Sequence, residues 1–416
     1  MPCDREGGAG RERGERESAG REAAPGRGAS GTAGLPAPAA PLALSRRHLL
    51  LGAGALFTLP TEPARAPERA SLRAAAARGG RRFGAAARSE EIAAEPDLAE
   101  ALLAECDALT PEISLKWDAI EPEPGRRDFA RTDALLRFAA EHGRALHGHT
   151  LIWHRSVPAW AEAALADGAG WAPVAAHFEA VLSRYGAAIE TWDVVNEPID
   201  TGHRMDGLRG GTFLQAFGET YVERAFHEAR AHAPNARLFL NEYGLDYDIP
   251  VESDRRYLFL KLVERLMRAG APLGGIGLQG HLDLRKGPFS DGVFDRFLRE
   301  IAGFGLEIHI TELDVREREL SAPPAVRDRL VAEITKRYLD VALDCPSVRA
   351  VTTWGLSTRH SWLAIEPEDL EFYWRLVGEA GPGPGFNRGL PYDSDMRPAP
   401  MREAILSAFE RRPLGI

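Results

Sequence analysis

Eight short apolar runs, each closing on polar or aromatic residues, alternate with segments of helical period. That alternation restricts the fold more than any other feature of the chain. The runs cover residues 82–87, 108–112, 145–154, 189–195, 237–241, 275–281, 306–312 and 350–354. Helical periodicity fills 96–105, 135–142, 178–185, 220–231, 256–268 and 326–343 between them. Strands that alternate with helices predict a parallel sheet, and eight of them predict an α/β fold of the (β/α)8 TIM-barrel kind. Such a barrel keeps its chemistry at the C-terminal tips of its strands.

The fourth and seventh tips stand out. The fourth run ends abruptly in Trp192-Asp193-Val194-Val195-Asn196-Glu197-Pro198. Pro198 lacks a backbone donor and pushes Glu197 away from helical dihedrals, so the strand is expected to stop there. The seventh reads Leu306-Glu307-Ile308-His309-Ile310-Thr311-Glu312-Leu313-Asp314, with its tip at Glu312. Taken singly, Asn-Glu-Pro reads equally as a turn with a solvated Glu, and Thr-Glu-Leu-Asp as a helix start. Together, on two separate strands, the carboxylates of Glu197 and Glu312 are the pair that glycosidic bond cleavage requires.

Composition narrows the partners. The net charge is −10, and residues 1–66 carry nine Arg against seven acidic residues, which leaves −12 on the rest. That surface disfavours nucleic acid and anionic lipid but is indifferent to a neutral polymer. Hydrophobic residues at 44% suffice for a large core. The cysteines Cys3, Cys106 and Cys345 form neither a CxxC pair nor a Cys/His ligand spacing, so no structural zinc site is expected. Cys106 and Cys345 pair only if the fold brings them together. His149 and His154 read as core histidines or site residues; metal binding is the weaker reading, because the neighbouring carboxylates lack ligand spacing. Trp117, Trp153, Trp354 and Trp362 lie near strand tips among polar neighbours, a composition that suits either barrel-mouth core or a sugar-stacking cleft.

Residues 1–66 read as a leader. The first 44 are Gly-, Ala-, Arg- and Pro-rich and predict disorder. Ser45-Arg46-Arg47 then precedes a short apolar stretch, with Ala64-Arg65-Ala66 soon after. This resembles a twin-arginine export signal with its cleavage site, and implies a protein working in the periplasm or outside the cell. The apolar stretch is too short for a membrane anchor. Residues 67–416 are expected to form one catalytic domain, without linker, repeat or accessory module.

Seven motifs, in order, carry a more specific resemblance. They are Lys116-Trp117-Asp118 with Glu121-Pro122, Gly148-His149-Thr150-Leu151-Ile152-Trp153-His154, the Asn196-Glu197 segment, Asn241-Glu242-Tyr243, Gln279-Gly280-His281, Ile310-Thr311-Glu312-Leu313-Asp314, and Thr353-Trp354-Gly355 with Ser361-Trp362-Leu363. Pro391-Tyr392-Asp393 and Arg397-Pro398-Ala399-Pro400 follow. From about Arg82 to its end the chain resembles the family 10 glycoside hydrolases, the endo-1,4-β-xylanases. The resemblance implies a retaining double displacement, with Glu197 as general acid/base and Glu312 as nucleophile, about 5–5.5 Å apart. It also implies that Asn196 meets the 2-hydroxyl of the sugar at the cleavage point, and that His281 and Asp314 orient Glu312. Glu112, Lys116, His149, Trp153 and Gln279 would contact sugars on the non-reducing side. Tyr243 would line the leaving-group side. Trp354 and Trp362 would form a wall that excludes the hydroxymethyl group of glucose. The implied partner is xylan or xylo-oligosaccharide, bound by a monomer with no metal or organic cofactor.

Two positions depart from the pattern. Ile113 stands where the family usually has Asn, and Arg155-Ser156 where it usually has Ser-Gln. Each missing amide costs roughly 0.5–1.5 kcal/mol at the second sugar, so together they weaken that subsite by about tenfold to a hundredfold. Arg155 instead suggests contact with an acidic branch. These departures keep open a related retaining glycosidase or transglycosylase acting on short or decorated oligosaccharides. A non-catalytic glycan-binding barrel is the other alternative, against which the retained Glu197, Asn196, His281 and Glu312 argue. The long segment 364–388, with its Gly-Pro repeat, is expected to form a loop over the cleft near Trp362.

Overall fold

The computed structural model describes residues 70–411 apart from 288, 318–320 and 365–385. Residues 1–66, read above as a leader and including Cys3, and most of the long loop therefore lie outside the described residues. Eight parallel strands close into a barrel: β1 (Arg82–Ala87), β2 (Ala108–Pro111), β3 (Ala145–Gly148, resuming as Ile152–Trp153), β4 (Thr191–Asn196), β5 (Arg237–Glu242), β6 (Gly275–Leu278, resuming as His281–Asp283), β7 (Glu307–Arg316) and β8 (Val348–Thr353). Neighbours pair in chain order, and β8 pairs with both β7 and β1, which shuts the sheet. The predicted (β/α)8 topology is the observed one.

The helices begin where the sequence pre-organises them. Pro96, Pro250 and Pro324 each open a helix in its first turn, where their missing N–H costs nothing. The chain ends are tied by the buried Glu105. One oxygen accepts from Leu72 N at 2.7 Å, and the other from Tyr392 OH at 2.6 Å and Arg402 Nε at 2.7 Å. Cys106 and Cys345 are both buried and both free, so the pairing does not form.

The lower barrel is filled rather than hollow. Phe239 lies between His147 and His309, with ring centroids 5.9 Å and 4.4 Å away. Gly275 makes room for it: a Cβ there would sit 2.3 Å from Phe239 Cε1. Trp117 joins the core as well. It is fully buried, stacked on His177 at 4.7 Å and edge-on to Trp160 at 6.0 Å, so of the four tryptophans it belongs to the packing and not to a cleft.

Toward their tips, β4 and β7 depart from simple alternation. On β4 the register against β5 shifts between Asp193 and Val195. On β7 it shifts against β8 between Ile310 and Leu313. Each bulge reverses the phase of the side chains beyond it. Nor does β7 stop at Glu312 as the pattern suggests. It runs on to Arg316, because residues 281–283 supply a further parallel partner for 314–316.

Candidate active site

The two bulged strands deliver the two carboxylates. Counting by twos from Asp193, which lies inside the barrel, would turn Asn196 outward; the bulge returns it to the interior. On β7 the bulge lets successive residues reach one partner. Asn241 Oδ1 accepts from Thr311 Oγ1 at 2.8 Å, and its Nδ2 donates to Glu312 Oε1 at 2.7 Å. Gly277 permits this approach, since a Cβ there would stand 2.1 Å from Asn241 Oδ1.

Beyond β4 the chain turns sharply at Glu197. Its φ is 57°, the left-handed region, rather than the extended conformation usual before proline. Several contacts hold that turn. Glu197 N donates to Asn241 O at 2.8 Å, and Arg209 Nε donates to Glu197 O at 2.7 Å. The fully buried Glu242 accepts from Ile199 N at 2.8 Å and Tyr243 N at 3.0 Å. Burial raises the Glu242 carboxyl to about 8, against the opposing pull of Arg255.

A chain of amides joins the carboxylates. Gln279 Nε2 donates to Glu197 Oε1 at 3.1 Å and to Asn196 Oδ1 at 3.2 Å. Asn241 Nδ2 donates to the same Asn196 oxygen at 2.9 Å and to Glu312. With its oxygen committed to two donors, Asn196 has only its amide nitrogen left for a ligand. His154 Nδ1 stands 3.8 Å from Glu197 Oε2, too far for a hydrogen bond. Burial, with Arg209 and Arg155 adding to it, lowers that imidazole to about 4, so it is neutral at neutral pH.

Glu312 has the opposite environment. His281 lies between two acids, with Nε2 3.2 Å from Glu312 Oε2 and Nδ1 2.8 Å from Asp314 Oδ1. Burial alone would lower the imidazole, but Asp314 and then Glu312 outweigh it and raise the ring to about 10. Burial likewise favours the neutral form of Glu312. The His281 hydrogen bond, with the charges of His149 and His281, reverses this and holds the carboxyl below its usual value. Glu312 is thus an ionised, oriented carboxylate in a nearly water-free position. Trp362 Nε1 donates to the remaining Asp314 oxygen at 2.6 Å and fixes the second acid.

The other predicted residues gather around this centre. His149 Nδ1 bonds Asp193 Oδ2 at 2.9 Å, and its ring meets Trp354 edge-on at 5.1 Å. Burial alone would raise Asp193, but His147 and then His149 hold it well below the ordinary carboxylate range. Lys116 Nζ lies 4.6 Å from the Trp153 ring and 5.8 Å from Trp354. Its own burial lowers it, while Glu312 and Glu112 pull it back up. Glu112 has both oxygens on Arg88, at 3.1 and 2.6 Å. Tyr243 lies on the opposite flank, its hydroxyl accepting from Arg209 at 3.1 Å. Sequence reasoning missed Asn241, Thr311, Asp193 and the two arginines, Arg88 and Arg209. Asn241, Thr311 and Asp193 lie within the motifs quoted above without having been given a role, and Asn241 also closes the fifth strand. No described group of three or more His, Cys, Asp or Glu has the arrangement of a metal site.

Comparison with known proteins agrees with this geometry. The model of glycosyl hydrolase family 10 matches residues 71–408. Endo-1,4-beta-xylanase B of Thermotoga neapolitana is 30% identical over 74% of this chain and 82% of its own length. Endo-1,4-beta-xylanase 1 of Humicola insolens is 32% identical over 72% and 69%. The crystal structure of native xylanase 10B from Thermotoga maritima superposes with a TM-score of 0.69 at 29% identity, covering 82% of this chain and 98% of that one. Xylanase 10B from Thermotoga petrophila, solved in complex with xylobiose, gives 0.69 at 29%, covering 83% and 98%.

Proposed function

The chain belongs to glycosyl hydrolase family 10, and on that premise we propose that it is an endo-1,4-β-xylanase. It hydrolyses internal β-1,4-xylosidic bonds with retention of configuration. Glu312 attacks the anomeric carbon while Glu197 protonates the departing oxygen. Glu197 then takes a proton from the water that releases the glycosyl-enzyme. The carrying observation is the ionised Glu312, bonded to His281 and linked through Asn241, Asn196 and Gln279 to Glu197. His281 and Asp314 orient the nucleophile. Asn196 offers its amide nitrogen to the 2-hydroxyl, a contact that strengthens as the transition state forms.

Glu112, Lys116, His149, Trp153 and Gln279 serve the sugars on the non-reducing side, Tyr243 the leaving-group side. Trp354 and Trp362 form the wall that discriminates xylose from glucose. The substrate is xylan or xylo-oligosaccharide and the working form a monomer. Residues 1–66 act as a twin-arginine export leader, and 67–416 as the catalytic domain. No described helix is long and apolar enough to cross a membrane.

The test is product analysis of the full chain and of Glu312→Ala on unbranched xylan. A ladder of xylo-oligosaccharides that disappears in the variant is the expected result. A single sugar as the sole product would instead mark an exo-acting enzyme, and no product at all would point to another β-glycan or to a binding protein.

A further inference from the structure

Arg155, beside Trp153, pairs with no acid among the described residues. Arg155 follows His154 directly and is exposed. Its guanidinium carbon lies 5.7 Å from the centre of the Trp153 ring, which Lys116 Nζ approaches at 4.6 Å. Other arginines around the site are committed. Arg88 binds Glu112, Arg209 binds the carbonyls of Glu197 and Ile199, and Arg359 binds Glu95 and Asp97. Arg155 pairs with no described carboxylate. Asp118 Oδ1 accepts from Ser156 Oγ and from Ala119 N, each at 2.9 Å.

The same hydrogen bond explains what this stretch of the cleft lacks. Ser156 is buried and its hydroxyl is spent on Asp118, and Ile113 has no polar side-chain atom. Neither offers the amide that a neutral sugar hydroxyl would use. Arg155 instead sets a planar guanidinium beside Trp153, whose fork of donors fits a carboxylate better than a hydroxyl.

We propose that Arg155 is a specificity-determining residue that binds the carboxylate of a uronic-acid branch carried by the chain on the Trp153 side of the cleavage point. This rests on the xylanase reading above. The polysaccharide backbone remains neutral and is held by the aromatic and amide groups already described. Arg155 adds selection for a branch with a negative charge at one position. An exposed ion pair of this kind contributes about threefold to fivefold to affinity at low salt, and screening reduces it as salt rises.

The experiment compares xylo-oligosaccharides of one length. One is unbranched, and the others carry a single uronic acid moved along the chain, each also prepared as its neutral methyl ester. The kcat/KM ratio of acid to ester is measured for the full-length wild type, Arg155→Ala and Arg155→Lys. The ratio should fall about threefold to fivefold in the alanine variant, for one branch position only. The lysine variant should keep part of it, and about 0.5 M salt should remove most of it. An acid-to-ester ratio near one in the wild type, or the same ratio in wild type and Arg155→Ala, overturns the assignment. If unbranched substrate is still cut in those cases, the xylanase reading stands without it. If the wild type cuts neither branched nor unbranched xylan, both readings fall together. Arg155 is exposed, so a melting curve matched to wild type excludes misfolding as the cause of any change.

Discussion

Replacing His281 by Gln isolates what keeps Glu312 charged. Both ring nitrogens face acceptor oxygens, Asp314 at 2.8 Å and Glu312 at 3.2 Å, so both donate only in the imidazolium form. Against burial, Asp314 and Glu312 raise that ring from 6.5 to about 10. That rise is net of burial, which opposes it, so the imidazolium is held by its two acids, Asp314 first and Glu312 second. A hydrogen bond to a charged group is worth about 1.5–3 kcal/mol, so losing the imidazolium takes a stabilisation of that order from the ionised carboxylate. Glutamine keeps one donor for one acid but supplies no charge. Burial then acts on Glu312 with the His281 contact gone and only His149 and the Asn241 hydrogen bond left to oppose it, so its carboxyl rises.

The acid limb of kcat/KM reports the group that must be ionised in the free enzyme. With an aryl β-xylobioside at constant ionic strength, that limb should move up in His281→Gln. The alkaline limb, which reports the proton donor, serves as the internal reference. Stability should follow a matching pattern. His281 is raised on folding, so its contribution is complete below about 6.5 and is lost as pH climbs through about 10. Glu312 is lowered, so its share is present above about 4.5 and is lost as pH falls through the folded value. The stability difference between wild type and variant should therefore be largest between about pH 4.5 and 6.5 and shrink on both sides. An acid limb within about 0.3 unit of the wild type would refute this account of Glu312.

Two further substitutions probe the support behind the carboxylates. Gly277→Ala puts a Cβ 2.1 Å from Asn241 Oδ1 and 3.0 Å from Thr311 Cγ2. It should cost about 1–3 kcal/mol in stability and more than tenfold in kcat, read by melting curves and steady-state kinetics; wild-type kcat would show that Asn241 does not position Glu312. Glu242 is raised on folding to about 8 by burial, so it binds more protons folded than unfolded between about pH 4.5 and 8, and stability falls with rising pH across that window. Glu242→Gln should flatten that slope in urea titrations at several pH values, at a fixed cost of about 1–3 kcal/mol for one misplaced acceptor; an unchanged slope would sink the assignment.

How far the sequence could be read depended on what sets each feature. Strand positions and the end of β4 before Glu197-Pro198 were legible because they follow from apolar periodicity and from proline, both local; the run of β7 past Glu312 was not, because it depends on pairing with residues 281–283. Trp117 was ambiguous for the opposite reason. A tryptophan near a strand tip packs inward or outward according to what the next helices bring, here His177 and Trp160. The leader and the segment 365–385 fall outside the described residues and stay as sequence expectations. Hidden altogether were the bulges on β4 and β7, because an inserted residue leaves no mark in a pattern read by twos.

Those bulges bear on how the site is built. Each bulged strand first feeds polar residues to the lower barrel: Thr191 and Asp193 on β4, Glu307 and His309 on β7. His147 bonds Thr191 Oγ1 and its Nε2 lies 3.0 Å from Asp193, and His309 bonds Glu307. Beyond the bulge each strand supplies a catalytic neighbour, Asn196 or Glu312. A regular strand carrying Asp193 inward would turn Asn196 toward the helices, and one carrying His309 and Thr311 inward would do the same to Glu312. The extra residue lets one strand serve both layers, and β5 between them carries Asn241, whose amide touches the residues delivered by both bulges. The fully buried Asn241, flanked by Gly277 where a side chain would collide, is the point at which the two irregular strands are held in register with each other.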